Sequence, residues 1–477
     1  VRIALVSGDG LPTSGLLTVF RNVLETGRAL GLVDGSVPTD LGYAWRPDKE
    51  GYYPAGGPRP AHSPWMEMTR RQPRDGLDVA ARADRLLEVR DGVAAWDGLD
   101  AAARAETARR TEALAAPFEA YFTEWLEEHR PDWVFALNMT LSDGVPATAG
   151  LHAAAEAFYA DRPGGVVFWD HDLFGSCAIH DPGTGARLYP YEPHELTPLP
   201  RAGEHTRWVV ISDGLAKEAA GYPTDAVPEV LTNVLPRVPE GPLEERHVEF
   251  ARQQRLDEGR PLLLDPVRVF QVKGVDVAVR LLAGMRDAAL AAGDPVPYLL
   301  VFGGLDEDPR YAREVVALSE RLGVAADVRF LDGVPLSSFR AEDGSWRLDE
   351  VDLLRLAAAR AGGVVFTPGV PDVETMGLGP ALAAVAGMPC AVTEYDVFEP
   401  VYGAGFGCVR MGTGDAEVRT GATEFGAVLR RYRTGDAALR EELAANRREM
   451  EARFPEEPWR RFWRELAAGA TSTPERR

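Results

Sequence analysis

Arg268-Val-Phe-Gln-Val-Lys273-Gly274 follows the apolar run Pro261-Leu-Leu-Leu-Asp-Pro-Val, and Glu374-Thr-Met-Gly377-Leu378-Gly379-Pro380 closely follows Gly363-Val-Val-Phe-Thr-Pro. Each apolar run reads as a buried strand, so each motif falls at a strand's carboxyl end. Ligands of open α/β sheets bind at such ends. Arg268 can grip a phosphate bidentately, and Lys273 adds a compact point charge. Both would oppose charge building up on a departing diphosphate. In the second motif, Gly377 and Gly379 permit a tight turn with backbone close to a ligand, and Pro380 suits a first helical turn. Amides at that helix start would face an anion, and Glu374 can accept hydrogen bonds from sugar hydroxyls. The bland alternatives are solvated strand-end cations and a carboxylate that merely complements a helix dipole.

Outward from these motifs, short apolar runs alternate with helical patterns, which reads as α/β with parallel sheets. Strands are expected at 3–7, 133–136, 165–169, 207–211, 261–264, 297–302, 328–330, 363–367 and 390–393. Helices are expected at 16–30, 100–129, 150–159, 275–291, 310–322 and 379–386. Residues 40–71 break the alternation and are rich in Gly, Pro, Tyr and Trp. A loop this long is usually functional or disordered, and Tyr43, Trp45, Tyr52, Tyr53 and Trp65 suit a substrate-facing role. The stretch 236–259 is proline- and charge-rich. The division is therefore an N-terminal Rossmann-like domain 1–238, a linker 239–258, a C-terminal Rossmann-like domain 259–455 and a final helix 456–477. Trp459 and Trp463 make that helix amphipathic, and its aromatic face needs a surface to cover.

The 477 residues exceed one ordinary core, which agrees with two domains. Net charge is 52 − 73 = −21. Such acidity disfavours broad contact with nucleic acid or an anionic membrane. A diphosphate ligand therefore needs dedicated cations. Cys177, Cys390 and Cys408 are too few and scattered for a disulfide framework or a zinc site. With no signal-like start and no apolar run long enough to span a bilayer, a cytoplasmic protein without membrane insertion is expected. Asp306-Glu307-Asp308 has the look of a metal-binding Asp-x-Asp. Its place just before a helix is better explained by the helix dipole.

The chain resembles the family 4 retaining glycosyltransferases, nucleotide-sugar enzymes of the GT-B fold. The resemblance spans about residues 1–465. Its specific part is the Arg-x4-Lys-Gly site at 268–274 and the start of a Glu-x7-Glu motif at Glu374. Ser14-Gly15-Leu16, Trp169-Asp-His171-Asp172, Val209-Val-Ile-Ser212, Phe302-Gly303-Gly304 and Phe330-Leu-Asp-Gly333-Val-Pro335 match in order. The resemblance implies two Rossmann-like doubly wound domains facing a central cleft, with the C-terminal helix crossing back to the first.

It implies catalytic roles for Arg268, Lys273, Glu374 and His171. Gly15, Gly303, Thr375, Met376, Gly377, Leu378 and Gly379 would bind the donor, and Leu16, Asn138 and Asp172 the acceptor. His171 would hydrogen-bond the donor sugar rather than act as general base. The two cations replace a divalent ion, so neither metal nor other cofactor is expected beyond the nucleotide-sugar co-substrate. One departure is plain: the second glutamate of the motif falls at Leu382. The expected reaction is retaining transfer to a small soluble acceptor, through oxygen, nitrogen or sulfur. An aminoglycoside- or lincosamide-type antibiotic pathway is one setting, and a homodimer is left open. The alternatives are a nucleotide-sugar epimerase of the same fold and a non-catalytic nucleotide-sugar binder.

Overall fold

The computed structural model describes residues 1–8, 15–46, 53, 57–141, 144–174, 187, 190, 192–372 and 374–471. It divides into two compact units, Val1–Asn233 with Glu456–Arg477, and Val234–Pro455.

The first unit is built on a parallel sheet of seven strands. These are β1 (Ile3–Ser7), β2 (Val37–Asp40), β3 (Met66–Met68), β4 (Trp133–Leu137), β5 (Gly165–Asp170), β6 (Thr206–Val210) and β7 (Glu229–Val230), in spatial order β3-β2-β1-β4-β5-β6-β7. β1, β4 and β5 are buried at every position, as continuous apolar runs in a parallel sheet should be. The helices are α1 (Gly15–Ala29), α2 (Val79–Ala94), α3 (Ala101–His129), α4 (Val145–Tyr159) and α5 (Asp213–Ala219).

The second unit repeats the plan with β8 (Leu262–Asp265), β9 (Tyr298–Val301), β10 (Val328–Phe330), β13 (Gly363–Phe366), β14 (Cys390–Thr393) and β15 (Val409–Met411). Their order is β10-β9-β8-β13-β14-β15, all parallel. A two-stranded antiparallel hairpin, β11 (Phe339–Arg340) and β12 (Trp346–Arg347), interrupts the alternation. The helices are α6 (Glu245–Gln253), α7 (Val275–Ala292), α8 (Pro309–Arg321), α9 (Glu350–Ala359), α10 (Gly379–Val385), α11 (Phe398–Tyr402), α12 (Asp415–Thr434) and α13 (Ala437–Arg453). In both units the strand order reverses once, beside β1 and beside β8, which is the doubly wound pattern.

The stretch read as a linker carries α6, whose His247 and Phe250 are buried in the second unit. His247 and Arg246 both bond Asp352 of α9, so its charged residues are fastenings rather than solvated spacers. Cys390 and Cys408 are free thiols brought side by side where β14 pairs with β15. Cys177, Ser14 and Tyr52 lie outside the described residues. Among the described residues, no helix is long and apolar enough to cross a membrane.

The last helix, α14 (Glu457–Thr471), belongs to the first unit and buries Trp459, Phe462, Trp463 and Leu466 there. Trp463 Nε1 donates to the Val23 carbonyl at 3.0 Å, and Trp459 Nε1 to that of Thr232 at 2.7 Å. α1 admits the Trp463 indole only because residue 27 is glycine: a Cβ there would lie 2.8 Å from the ring. Trp463→Ala should therefore destabilise the first unit by about 3–5 kcal/mol, the cost of emptying a buried indole site. Gly27→Ala should cost about 1–3 kcal/mol by overpacking. Denaturant titration of both variants checks this, and a near-neutral Trp463→Ala would mean α14 adds little to that core.

Candidate active site

The two motifs of the second unit meet. β8 and β13 are adjacent and flank the point where strand order reverses, so the loops that follow them share one crevice. The chain leaves β8 through Arg268, makes a short turn at Gln271–Lys273, and enters α7 through Gly274 at φ +64°. The Gly369 amide donates to the Val272 carbonyl at 2.8 Å, and Thr367 Oγ1 to the Gly274 carbonyl at 3.0 Å. Across this seam Lys273 Nζ donates to Glu374 Oε1 at 2.6 Å. The ammonium keeps two further N–H groups for a ligand.

Arg268 is held from the other side. Glu307, beyond β9, accepts a hydrogen bond from its Nε and another from the Gly304 amide at 3.0 Å. The Arg268 guanidinium also lies over the Phe270 ring, 4.7 Å from its centroid. Among the described residues each cation thus has one carboxylate partner. The acidic triplet is divided between two tasks. Asp308 caps α8 by accepting from the Tyr311 amide at 3.0 Å, while Glu307 turns to Arg268. Strand adjacency is the signal that would have found Glu307, because β9 lies directly beside β8.

The glycines of the site answer to packing. A Cβ on Gly303 would lie 2.6 Å from the Val269 amide nitrogen. Cβ atoms on Gly377 (φ +70°) and Gly379 would strike the Phe366 ring at 2.9 and 2.5 Å. Gly377 makes the tight turn expected of it, but its bare face is filled by Phe366 and Tyr395. Met376 is buried beneath the same turn, with Thr375 and Leu378 half-buried on it. Leu382 is 4% exposed on α10, all of whose residues are buried. Nothing on that face offers a ribose a carboxylate.

In the first unit, Asn138 adopts φ +50° at the end of β4. Its Oδ1 accepts from the His171 amide at 2.7 Å, and its Nδ2 donates to Asp172 Oδ2 at 3.1 Å. Three predicted residues are thereby laced into one cluster. Gly15 is exposed and Leu16 half-buried at the start of α1, with no contact to that cluster among the described bonds. The His171 ring is 6% exposed, tilted against Trp169 with centroids 4.7 Å apart. Asn233 lies close enough to polarise it, but among the described residues neither ring nitrogen makes a well-formed hydrogen bond. Burial drives its pKa down to about 3, against the opposing pull of Asn233. The imidazole is neutral at physiological pH.

Of the described rings of the aromatic loop, two serve the core rather than a substrate-facing surface. Tyr43 and Trp45 are buried, and Trp45 packs edge-on against Phe118 with centroids 6.1 Å apart. Trp65 lies near Phe20. The sequence holds an edge strand, β3, too short to show alternation.

No protein-family model matches the sequence, and no curated protein is similar to it in sequence. Solved structures are similar in fold. Sucrose-phosphate synthase (tll1590) from Thermosynechococcus elongatus matches with a TM-score of 0.57 at 15% identity, covering 98% of this chain and 99% of that one. Anabaena Alr3699/HepE, solved in complex with UDP-glucose, gives 0.57 at 14% identity, covering 98% and 99%. A glycosyltransferase from Rickettsia africae ESF-5 gives 0.55 at 12% identity, covering 98% of each. The chain has the GT-B fold. This is the fold class that the two motifs and the strand–helix alternation imply.

Buried acids stand at three strand ends of this GT-B scaffold among the described residues, Asp40, Asp170 and Asp265. Asp170 closes β5, accepts from Trp208 Nε1 at 2.8 Å, and has its pKa pushed up to about 7, chiefly by burial. Asp265 closes β8 fully buried, with neither carboxylate oxygen partnered among the described residues, and burial raises it well above the usual range. A raised carboxyl pKa means the folded state holds its proton more tightly than the unfolded state. The associated stability is complete below about pH 4, where both states are protonated, and for Asp170 is lost as pH rises to about 7. Asp170→Asn should thus match the parent at pH 4 and melt higher at pH 8. Paired thermal melts at the two pH values check it; equal differences at both would mean the Asp170 pKa is not raised in the fold.

Proposed function

We propose that the protein is a retaining glycosyltransferase that moves a sugar from a nucleotide-diphosphate sugar to a small acceptor. The observation that carries this reading is the Lys273–Glu374 pair, which sets a diphosphate-binding cation beside a sugar-binding carboxylate at the strand-order reversal. The fold supports it: structures similar to this chain are named as glycosyltransferases, and one was solved with UDP-glucose.

Arg268 and Lys273 stabilise the leaving diphosphate, and Glu374 orients the sugar hydroxyls. The acceptor atom bonds to the anomeric carbon on the face the diphosphate leaves, as that bond breaks. A phosphate oxygen of the leaving group takes the acceptor's proton. With two cations present no divalent ion is needed. The neutral His171 imidazole can offer a hydrogen bond but not a charge, and the Asn138–Asp172 pair is assigned to the acceptor side.

A thermal-shift panel of UDP, GDP, ADP and TDP tests donor binding, since a ligand at 100 times its Kd adds about 2.7 kcal/mol. Transfer from the matching nucleotide sugar tests the reaction. Lys273→Ala and Arg268→Ala should each lower turnover roughly 10²–10³-fold, and near-normal rates in both would refute the site. Glu374→Gln separates the two roles: nucleotide binding should persist or tighten, because Lys273 loses its counter-charge, while turnover falls. Activity should survive a chelator. Binding without turnover for any acceptor would favour the non-catalytic alternative.

A further inference from the structure

Two tyrosine hydroxyls converge on a single carbonyl of the turn that carries Glu374. Tyr402 of α11 and Tyr395, just beyond β14, both donate to the Gly377 carbonyl, Tyr395 at 3.2 Å and Tyr402 more closely. Together they occupy both acceptor positions of that oxygen. Tyr402 is fully buried and Tyr395 nearly so. The Ala381 amide and the Tyr395 hydroxyl lie near enough to the Tyr402 oxygen to act on it electrostatically. Tyr402 therefore sits between the glycine turn and the first turn of α10, which has no side-chain cap of its own.

The surroundings are otherwise apolar. Phe398 and Phe406 pack against Tyr402, with centroids 5.1 and 5.2 Å away. A phenylalanine would fill the same space without burying a hydroxyl, so packing does not account for the phenols. The Gly377 carbonyl does, and the Glu374 carboxylate lies near enough to act electrostatically on both rings.

We propose that Tyr402, assisted by Tyr395, is a positioning residue for the transfer reaction. Its hydroxyl fixes the Gly377 peptide, and through it the Glu374–Gly379 turn, so that Glu374 meets the donor sugar in one orientation. This rests on the reading of Glu374 as the sugar-binding carboxylate.

The test compares the parent with Tyr402→Phe and Tyr395→Phe, using the nucleoside diphosphate and the nucleotide sugar identified in the panel above. Tyr402→Phe should bind the nucleoside diphosphate within about twofold of the parent, lose about tenfold in kcat, and bind the nucleotide sugar no more tightly than the diphosphate. Tyr395→Phe should shift the same quantities less, and the double variant should be no worse than Tyr402→Phe alone, because the two phenols act as one hub.

A Tyr402→Phe protein with lowered thermal stability but unchanged kcat and unchanged preference for the nucleotide sugar overturns the proposal and leaves a purely structural hub. If Tyr402→Phe does not fold, Tyr395→Phe is decisive by the same criteria. A parent protein that binds no nucleotide sugar sinks the proposed function and this inference with it. A parent that binds it, beside variants indistinguishable from it, sinks this inference alone.

Discussion

Gly274 lacks a side chain because main chain already occupies the place one would take. A Cβ there would sit 2.0 Å from the Thr367 carbonyl oxygen and 2.9 Å from the Gly369 amide nitrogen. No rotamer change relieves a clash with backbone. The loops after β8 and β13 can therefore approach closely at this glycine, and the polar contacts across their seam, Lys273 to Glu374 among them, depend on that approach. With the loops apart, Lys273 would not reach Glu374, and each motif would revert to an ordinary strand end.

The seam also decides the electrostatics. Arg268 and Lys273 are each matched by a carboxylate, Glu307 and Glu374. Opposite unit charges 4 Å apart attract by about 4 kcal/mol at an effective dielectric constant of 20, so each pairing restrains its cation. Under the proposed function both cations are thereby set in place before a ligand arrives, which is the condition for preorganised charge stabilisation. The overall charge of −21 does not undo this. Exposed charges beyond a Debye length of about 8 Å are largely screened, and the pairs that matter are in contact.

The parts of this design that depend on local pattern were legible in the chain. The strands 3–7 and 390–393 coincide with β1 and β14, because a fully buried parallel strand is a bare apolar run between turn residues, and 328–330 coincides with the half-buried edge strand β10. Several short strands were not legible. β2, β3, β7 and β15 are two to four residues long and carry too little sequence to show a period. α12 and α13 are charged on most of their surface and bury only a narrow stripe. At the site, the meeting of Lys273 with Glu374 could be anticipated because both motifs sit at ends of neighbouring strands. Glu307 was hidden by its neighbour Asp308, whose capping role accounts for an acidic cluster by itself. Tyr395 and Tyr402 were invisible: nothing in their local sequence says that two phenols from beyond β14 will find one carbonyl.

Leu382 now has a physical reading. α10 is buried at every residue, so a carboxylate at 382 would have to leave water without an assured partner, and burying an isolated charge is among the costliest changes a fold can make. The same burial lets α10 act as a rigid backing for the glycine turn, fastened at its end by Arg447, which donates to the Val385 carbonyl. Under the proposals made above, the helix at whose start the family motif continues backs the turn of Glu374 instead of meeting the ribose. Under the proposed function, discrimination is thereby concentrated on the sugar and the diphosphate, where the ion pairs and the phenol hub are, and the ribose has no charged partner on that helix to add to it.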